Sequence, residues 1–253
     1  MSVLADIVSS RRTAVERLPA ALLPEAAGRP VPAGRSFAEA LASPGLSLIA
    51  EIKRRSPSAG ALSAEADAPS IARGYAAAGV DAISVLTEPD FFGGSLEDLK
   101  AVREAQPLPA LRKDFIVDPR QLHESRAAGA DAVLLMVSVL GSEVGDYLAL
   151  ADELGLDALV EVHTEIELGL ALAAQPSIIG VNNRDLNTLR VDLGVAERLL
   201  PMIPAGILRV AESGVATPAD AARMAAAGAD AILVGSALMA SGDPGAAARA
   251  LRG

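Results

Sequence analysis

Read as apolar and polar positions, the 253-residue chain alternates short, nearly unbroken apolar runs with longer stretches whose apolar residues recur at helical spacing. The runs are LSLIAEIK, DAISVLTE, LPALRKDF, DAVLLMV, DALVEVH, SIIGVNN, ILRVAES and DAILVGS, beginning near residues 46, 81, 108, 131, 157, 177, 207 and 230. Between them lie Ala-rich amphipathic stretches such as PSIARGYAAAG and PADAARMAAAG, each ending in a glycine suited to the position just past a helix. The phrase Gly-x-Asp-Ala recurs at Gly79, Gly129, Gly155 and Gly228, with separations of 50, 26 and 73 residues. These approximate two, one and three copies of a unit of about 25 residues, the size of a strand, a helix and two tight loops. Strands that are apolar throughout are covered on both faces, and eight alternating units predict a (β/α)8 barrel. The alternative is an open doubly wound sheet; no Gly-x-Gly-x-x-Gly follows the first run, which counts against its dinucleotide-binding form.

About 45 residues precede the first strand. Val3, Leu4, Ile7, Val8, Val15 and Leu18 fall largely on one helical stripe behind a Ser2 cap, and a Pro/Gly-rich stretch leads to a short helix at Phe37 to Leu41. The expected organisation is one barrel domain, 1–253, with 1–45 as a helical extension packed on it.

In such a barrel the reactive face lies at the C-terminal ends of the strands, so polar residues that end apolar runs carry the information. They are Glu51 and Lys53 on the first strand, Glu88 on the second, Lys113 on the third, Glu161 on the fifth, Asn182 and Arg184 on the sixth, and Glu212 on the seventh. Any one of these alone reads as a solvated terminus, but their convergence on one rim does not. Lysine usage sharpens the point: only Lys53, Lys100 and Lys113 occur, and two of the three end strands. Arginine supplies charge but does not release a proton near neutral pH, whereas a lysine does when its surroundings lower its pKa. Lys100, in EDLKAVREA, reads as a surface residue, and salt bridging of Lys53 to Glu51 and of Lys113 to Asp114 is the bland account of the other two.

AESGVATPAD and LVGSALMASGD, after the seventh and eighth strands, place Ser and Gly where a tight loop or helix begins, and backbone N–H groups there can hold a phosphate. Arg55 and Ser56 of the first loop are candidates for added contacts. His123 and His163 have no partner at metal-ligand spacing and read as ordinary polar residues, and Ser56 and Ser58 have no evident histidine partner for acyl transfer. What remains is acid–base chemistry on a phosphorylated small molecule, without metal.

Composition narrows the setting. A net charge of −10 repels nucleic acid and anionic membranes, cysteine is absent, and the longest apolar stretch, AVLLMVSVLG, is too short to span a bilayer. The N-terminus has an acid at Asp6 and no long apolar core, unlike a signal peptide. The expectation is a cytoplasmic protein with no nucleic-acid or membrane partner.

The stretches IAEIKRRSPSAG, LTEPDFFGGSLEDL, LRKDFIVDPRQ, LVEVHTEIE, GVNNRDL, AESGV and LVGSALM, in this order and spacing, resemble the indole-3-glycerol phosphate synthase family from about residue 2 to 245. The resemblance implies a (β/α)8 barrel with an N-terminal helical extension, a monomer, and no cofactor. It implies conversion of 1-(2-carboxyphenylamino)-1-deoxyribulose 5-phosphate into indole-3-glycerol phosphate, carbon dioxide and water in tryptophan biosynthesis. By position it makes Lys113 the general acid, Glu161 the carboxylate of the dehydration, and Lys53 the second amine, with Glu51 and Asn182 orienting them. Arg184, Glu212 and Ser213 would complete the pocket, Phe91 and Phe115 would pack on the anthranilate ring, and Gly214, Gly235 and Ser236, helped by Arg55 or Ser56, would hold the phosphate. Arg190 and the scarcity of aromatics depart from the family pattern. A sugar-phosphate isomerase, a Schiff-base aldolase using Lys53 or Lys113, and a barrel kept only for binding are the competing readings.

Overall fold

The computed structural model describes residues 2–18, 35–58, 60–62 and 67–252. Eight parallel strands close a barrel: β1 Ser47–Ile52, β2 Ala82–Leu86, β3 Ala110–Lys113, β4 Ala132–Met136, β5 Asp157–Val162, β6 Ile178–Asn182, β7 Leu208–Glu212 and β8 Ala231–Val234. β1 pairs with both β2 and β8, so the barrel itself has no open strand edge. The closed ring excludes the open-sheet alternative. One apolar run divides: AVLLM is strand, and Val137–Leu140 turns into a short helix.

The Gly-x-Asp-Ala phrase acquires a physical meaning. Gly79, Gly129, Gly155 and Gly228 all adopt left-handed φ angles, between 65° and 95°, which stop the preceding helix at low steric cost. Two residues on, the Asp carboxylate accepts a bond from a backbone N–H at the entrance of the preceding odd strand. Leu48 N–H donates to Asp81, Ala110 N–H to Asp131, and Arg209 N–H to Asp230, each at 2.8 Å. Asp157 is turned to another use: it accepts from Ala38 N–H at 3.0 Å and so anchors the N-terminal extension.

That extension touches both mouths of the barrel. Helix α1, Val3–Val15, is capped by Ser2, whose hydroxyl accepts from Ala5 N–H. Helix α2, Phe37–Leu41, is capped by Ser36. Phe37 and Leu41 are fully buried and join Ala82, Ala132, Ile178 and Ala231, the entrance residues of four strands, in one apolar cluster. α2 therefore plugs the N-terminal mouth. Ile7 of α1 packs with Phe115, Met136 and Leu233 at the other. Arg11 fastens α1 there through Asp114, whose fully buried carboxylate also takes Arg112 at 2.9 Å and the Thr87 hydroxyl at 2.6 Å. The Pro/Gly-rich connection between the two helices lies outside the described residues.

Inside the barrel, side chains form layers contributed by alternate strands. Ile49, Leu111, Leu159 and Val210, from the four odd strands, make one aliphatic layer. Two residues further along the same strands, hence on the same side, stand Glu51, Lys113, Glu161 and Glu212. The barrel core thus ends in a complete charged layer.

Candidate active site

Glu51, Lys113 and Glu161 of the charged layer floor a cavity of about 210 Å³ lined by residues of α1 and of most strand ends and their loops, whereas Glu212, expected to complete the pocket, is fully buried outside that lining. Lys113 Nζ sits 2.5 Å from Glu212 Oε2 and 3.4 Å from Glu161 Oε2, so one ammonium bridges two carboxylates of β7 and β5. Lys53 Nζ lies 2.8 Å from Glu51 Oε1. The bland pairing of Lys53 with Glu51 is thus present, whereas Asp114 belongs to Arg11, Arg112 and Thr87 rather than to Lys113. Glu51, Glu161 and Glu212 are all at most 4% exposed, a concentration of buried acid that requires compensating cations.

The titration of this layer follows from its charge balance. Burial by itself would depress Lys113, but Glu212, then Glu161, then Glu51 outweigh it and hold the ammonium well above the usual lysine range. This corrects the expectation of a lysine lowered by its surroundings: three acids face it. Burial would raise Glu51, yet Lys53 and Lys113 hold it below its ordinary value. Burial raises Glu212, and repulsion from Glu161 and Glu51 adds to it against the pull of Lys113, so that this carboxyl is pushed up to about 7. The layer can therefore hold or release one proton near neutral pH while Lys113 stays charged.

Close approach of these groups depends on two glycines, Gly180 in the middle of β6 and Gly235 just past the end of β8. A Cβ on Gly180 would stand 2.2 Å from Glu212 Oε1, and one on Gly235 2.3 Å from Glu51 Oε1. Gly235 thus serves the acid layer as well as the loop. Asn182 lines the cavity and its Oδ1 accepts from Arg184 N–H at 3.0 Å; the Arg184 guanidinium is held by Leu189 O at 2.9 Å. Asn183, which sequence reasoning passed over, donates from Nδ2 to the carbonyls of both Glu212 and Ser213 at 3.1 Å. It braces a turn in which Ser213 and Gly214 both take positive φ, 63° and 88°, strain of the kind found in binding loops.

Of the other candidates, Ser56, Ser213, Gly214, Gly235, Ser236 and Phe115 line the cavity. Two do not. Arg55 turns away and donates to Pro89 O at 2.8 Å and to Asp90 O. Phe91 yields its place to Phe92, whose ring lies 6.0 Å from that of Phe115. The reason is a one-turn helix, Pro89–Phe92, capped by Glu88, which accepts from the N–H groups of Asp90, Phe91 and Phe92. Glu88, read from sequence as part of the rim, is spent on this cap. Leu86, Leu134, Met136 and Leu186, with Val3, Leu4 and Ile7, give the lining a large apolar part beside its serines and glycines. The cavity is amphipathic, with charged groups at its floor.

Lys100 is exposed and pairs with Glu97, as a surface residue would. Among the described residues no three His, Cys, Asp or Glu side chains are grouped to hold a metal ion, and no helix is long and apolar enough to cross a membrane.

The chain is similar to known proteins over most of its length. A family profile described as Indole-3-glycerol phosphate synthase matches residues 4–251. Indole-3-glycerol phosphate synthase of Mycolicibacterium smegmatis is 54% identical over 206 residues, 81% of this chain and 76% of the relative. That of Deinococcus radiodurans is 55% identical over 210 residues, 81% and 78% of the two chains. A solved structure, thiamine phosphate pyrophosphorylase from Pyrococcus furiosus, superposes with a TM-score of 0.62 at 20% identity, covering 82% of this chain and 94% of that one, a likeness of fold alone.

Proposed function

This chain belongs to the indole-3-glycerol phosphate synthase family, and we propose on that premise how its charged layer divides the work. The reaction is a carboxy-lyase ring closure in tryptophan biosynthesis. The anthranilate ring carbon bearing the carboxylate attacks the ketone of 1-(2-carboxyphenylamino)-1-deoxyribulose 5-phosphate, carbon dioxide leaves, and loss of water gives indole-3-glycerol phosphate. Lys113 is the general acid. Its neighbours keep it protonated, and an alkoxide developing on the ketone oxygen is basic enough to take its proton despite that stabilisation. Glu161 takes part in the proton removal that accompanies loss of water, and Glu212 stabilises the Lys113 ammonium between turnovers. Lys53, braced by Glu51, faces substrate charge together with Arg184, and Asn182 orients the intermediates.

The cavity's polarity sets the substrate's direction. Its phosphate lies against Ser56, Ser213, Gly214, Gly235 and Ser236, and its aromatic ring against Phe92, Phe115 and the aliphatic lining. Fixing both ends forces the ring carbon and ketone together over Lys113, which converts binding energy into orientation. The chain works as a single-domain monomer, residues 1–253 with 1–45 as the extension, in the cytoplasm, without nucleic-acid or membrane partners and without a cofactor. The observation that carries this reading is the bridge from Lys113 to Glu212 and Glu161 at the floor of an amphipathic cavity. Incubation with the carboxyphenylamino-deoxyribulose phosphate should produce indoleglycerol fluorescence with release of carbon dioxide. Isomerised sugar phosphate, or a borohydride-trapped adduct on Lys53 or Lys113, in place of that product would contradict it.

A further inference from the structure

His163 follows β5 directly, yet it is not an ordinary polar loop residue. Its backbone N–H donates to Glu167 Oε2 at 2.6 Å and its ring Nδ1 lies 3.2 Å from the same oxygen, so one carboxylate grips both main chain and side chain. Glu167 sits in the first turn of helix Glu165–Ala173, which is capped by Thr164. The grip aims the other ring nitrogen inward, where Nε2 faces Glu161 Oε1 at 3.4 Å. Both of these atoms are buried and without a hydrogen-bond partner, and each is the other's ready partner. A carboxylate at each ring nitrogen suits an imidazolium, since a neutral ring has only one N–H to offer.

We propose that His163 is a positioning residue for Glu161: clamped by Glu167, it donates from Nε2 to Glu161 Oε1 as an imidazolium and holds that carboxylate oriented opposite Lys113. The inference rests on the reading of Glu161 as the carboxylate of the dehydration. Glu161 then stands between two cations, Lys113 on Oε2 and His163 on Oε1. The groups that face the imidazole are Glu161 of β5, Glu167 of its own helix, Glu212 of β7 and Asp185 of the loop after β6. Burial opposes its charge, but the bond to Glu167 and then the charges of Glu161, Glu167 and Glu212 outweigh burial and hold it above the usual histidine value.

The chain has only two histidines, so ring-nitrogen NMR resolves the state of His163, with His163→Asn assigning its signal. Both ring nitrogens should be protonated at pH 7, and Glu167→Gln should lower the titration midpoint. In single turnover, His163→Asn should lose about 10-fold in rate with KM changed less than about 3-fold, and the acid limb of the rate profile should move up by roughly one pH unit. A neutral ring at pH 7, or a folded His163→Asn with the wild-type rate and acid limb, would overturn the proposal. Glu161→Gln separates the two levels: a loss of about 10² there beside an indifferent His163→Asn sinks only the clamp, while near-normal turnover in Glu161→Gln sinks the Glu161 assignment itself.

Discussion

At the scale of single residues, the charged layer closes because Gly180 and Gly235 leave room for the carboxylates of Glu212 and Glu51. The charged strand ends themselves were legible, because an acid or amine ending a fully apolar run has few structural reasons to be there; their neighbours were not. Gly180 reads in sequence only as a glycine inside a strand, a sign of close approach whose partner stays hidden until β7 is placed beside β6. Phe92 displaced Phe91 because Glu88 caps a one-turn helix, a choice between cap and rim that a carboxylate makes on geometry alone. His163 lacked a signal because its partners, Glu161 two positions back and Glu167 four positions on, are acids of the kind that any strand end or first helical turn carries. Gly180→Ala tests the tightness of the layer: its methyl would push Glu212 off Lys113, and turnover should fall by roughly 10² with substrate binding largely kept. Single-turnover rates and a KM measured together would check this, and a normal rate would mean that Glu212 tolerates displacement.

Among the elements, strand starts came within two residues of their expected positions because the strand–helix unit repeats eight times and a Gly-x-Asp-Ala phrase marks four of the starts. The extension was legible as two helices, while its distribution over both mouths was not, since that depends on Asp157 leaving the role its three counterparts play. Loops seven and eight carry the proposed phosphate grip. Gly235 is a poor probe of it, because any side chain there strikes Glu51. Ser236, at the start of the one-turn helix Ser236–Met239, lines the cavity without that conflict. Ser236→Asp should raise KM by about 10-fold or more through repulsion of the phosphate while changing kcat far less. An unchanged KM in steady-state assays would move the phosphate elsewhere.

For the molecule as a whole, the buried acid layer makes stability depend on pH in a definite direction. Glu212 is raised from 4.5 to about 7, so the folded state binds its proton more tightly than the unfolded chain. That contribution is fully present below about pH 4.5 and is lost as pH rises through 7, an effect of roughly 3 kcal/mol at its limit. His163, also raised, acts in the same sense, whereas Glu51, lowered, contributes stability that is lost as pH falls through its folded value. Glu212→Gln should therefore flatten the decline in Tm between pH 5.5 and 8 by several degrees. Parallel Tm profiles in calorimetry would show that Glu212 titrates outside this window.

The central claim is that Lys113 gives a proton rather than merely placing a positive charge. Lys113→Arg keeps the charge among Glu212, Glu161 and Glu51, and 19 of the chain's 22 basic residues are already Arg. The decisive measurement is the single-turnover rate of this variant, with its unfolding recorded alongside. A folded Lys113→Arg slowed by roughly 10² to 10⁴ is the predicted result, because a planar guanidinium does not readily surrender its proton to the developing alkoxide. A folded variant turning over at the wild-type rate would contradict the account and shift the acid role to Lys53.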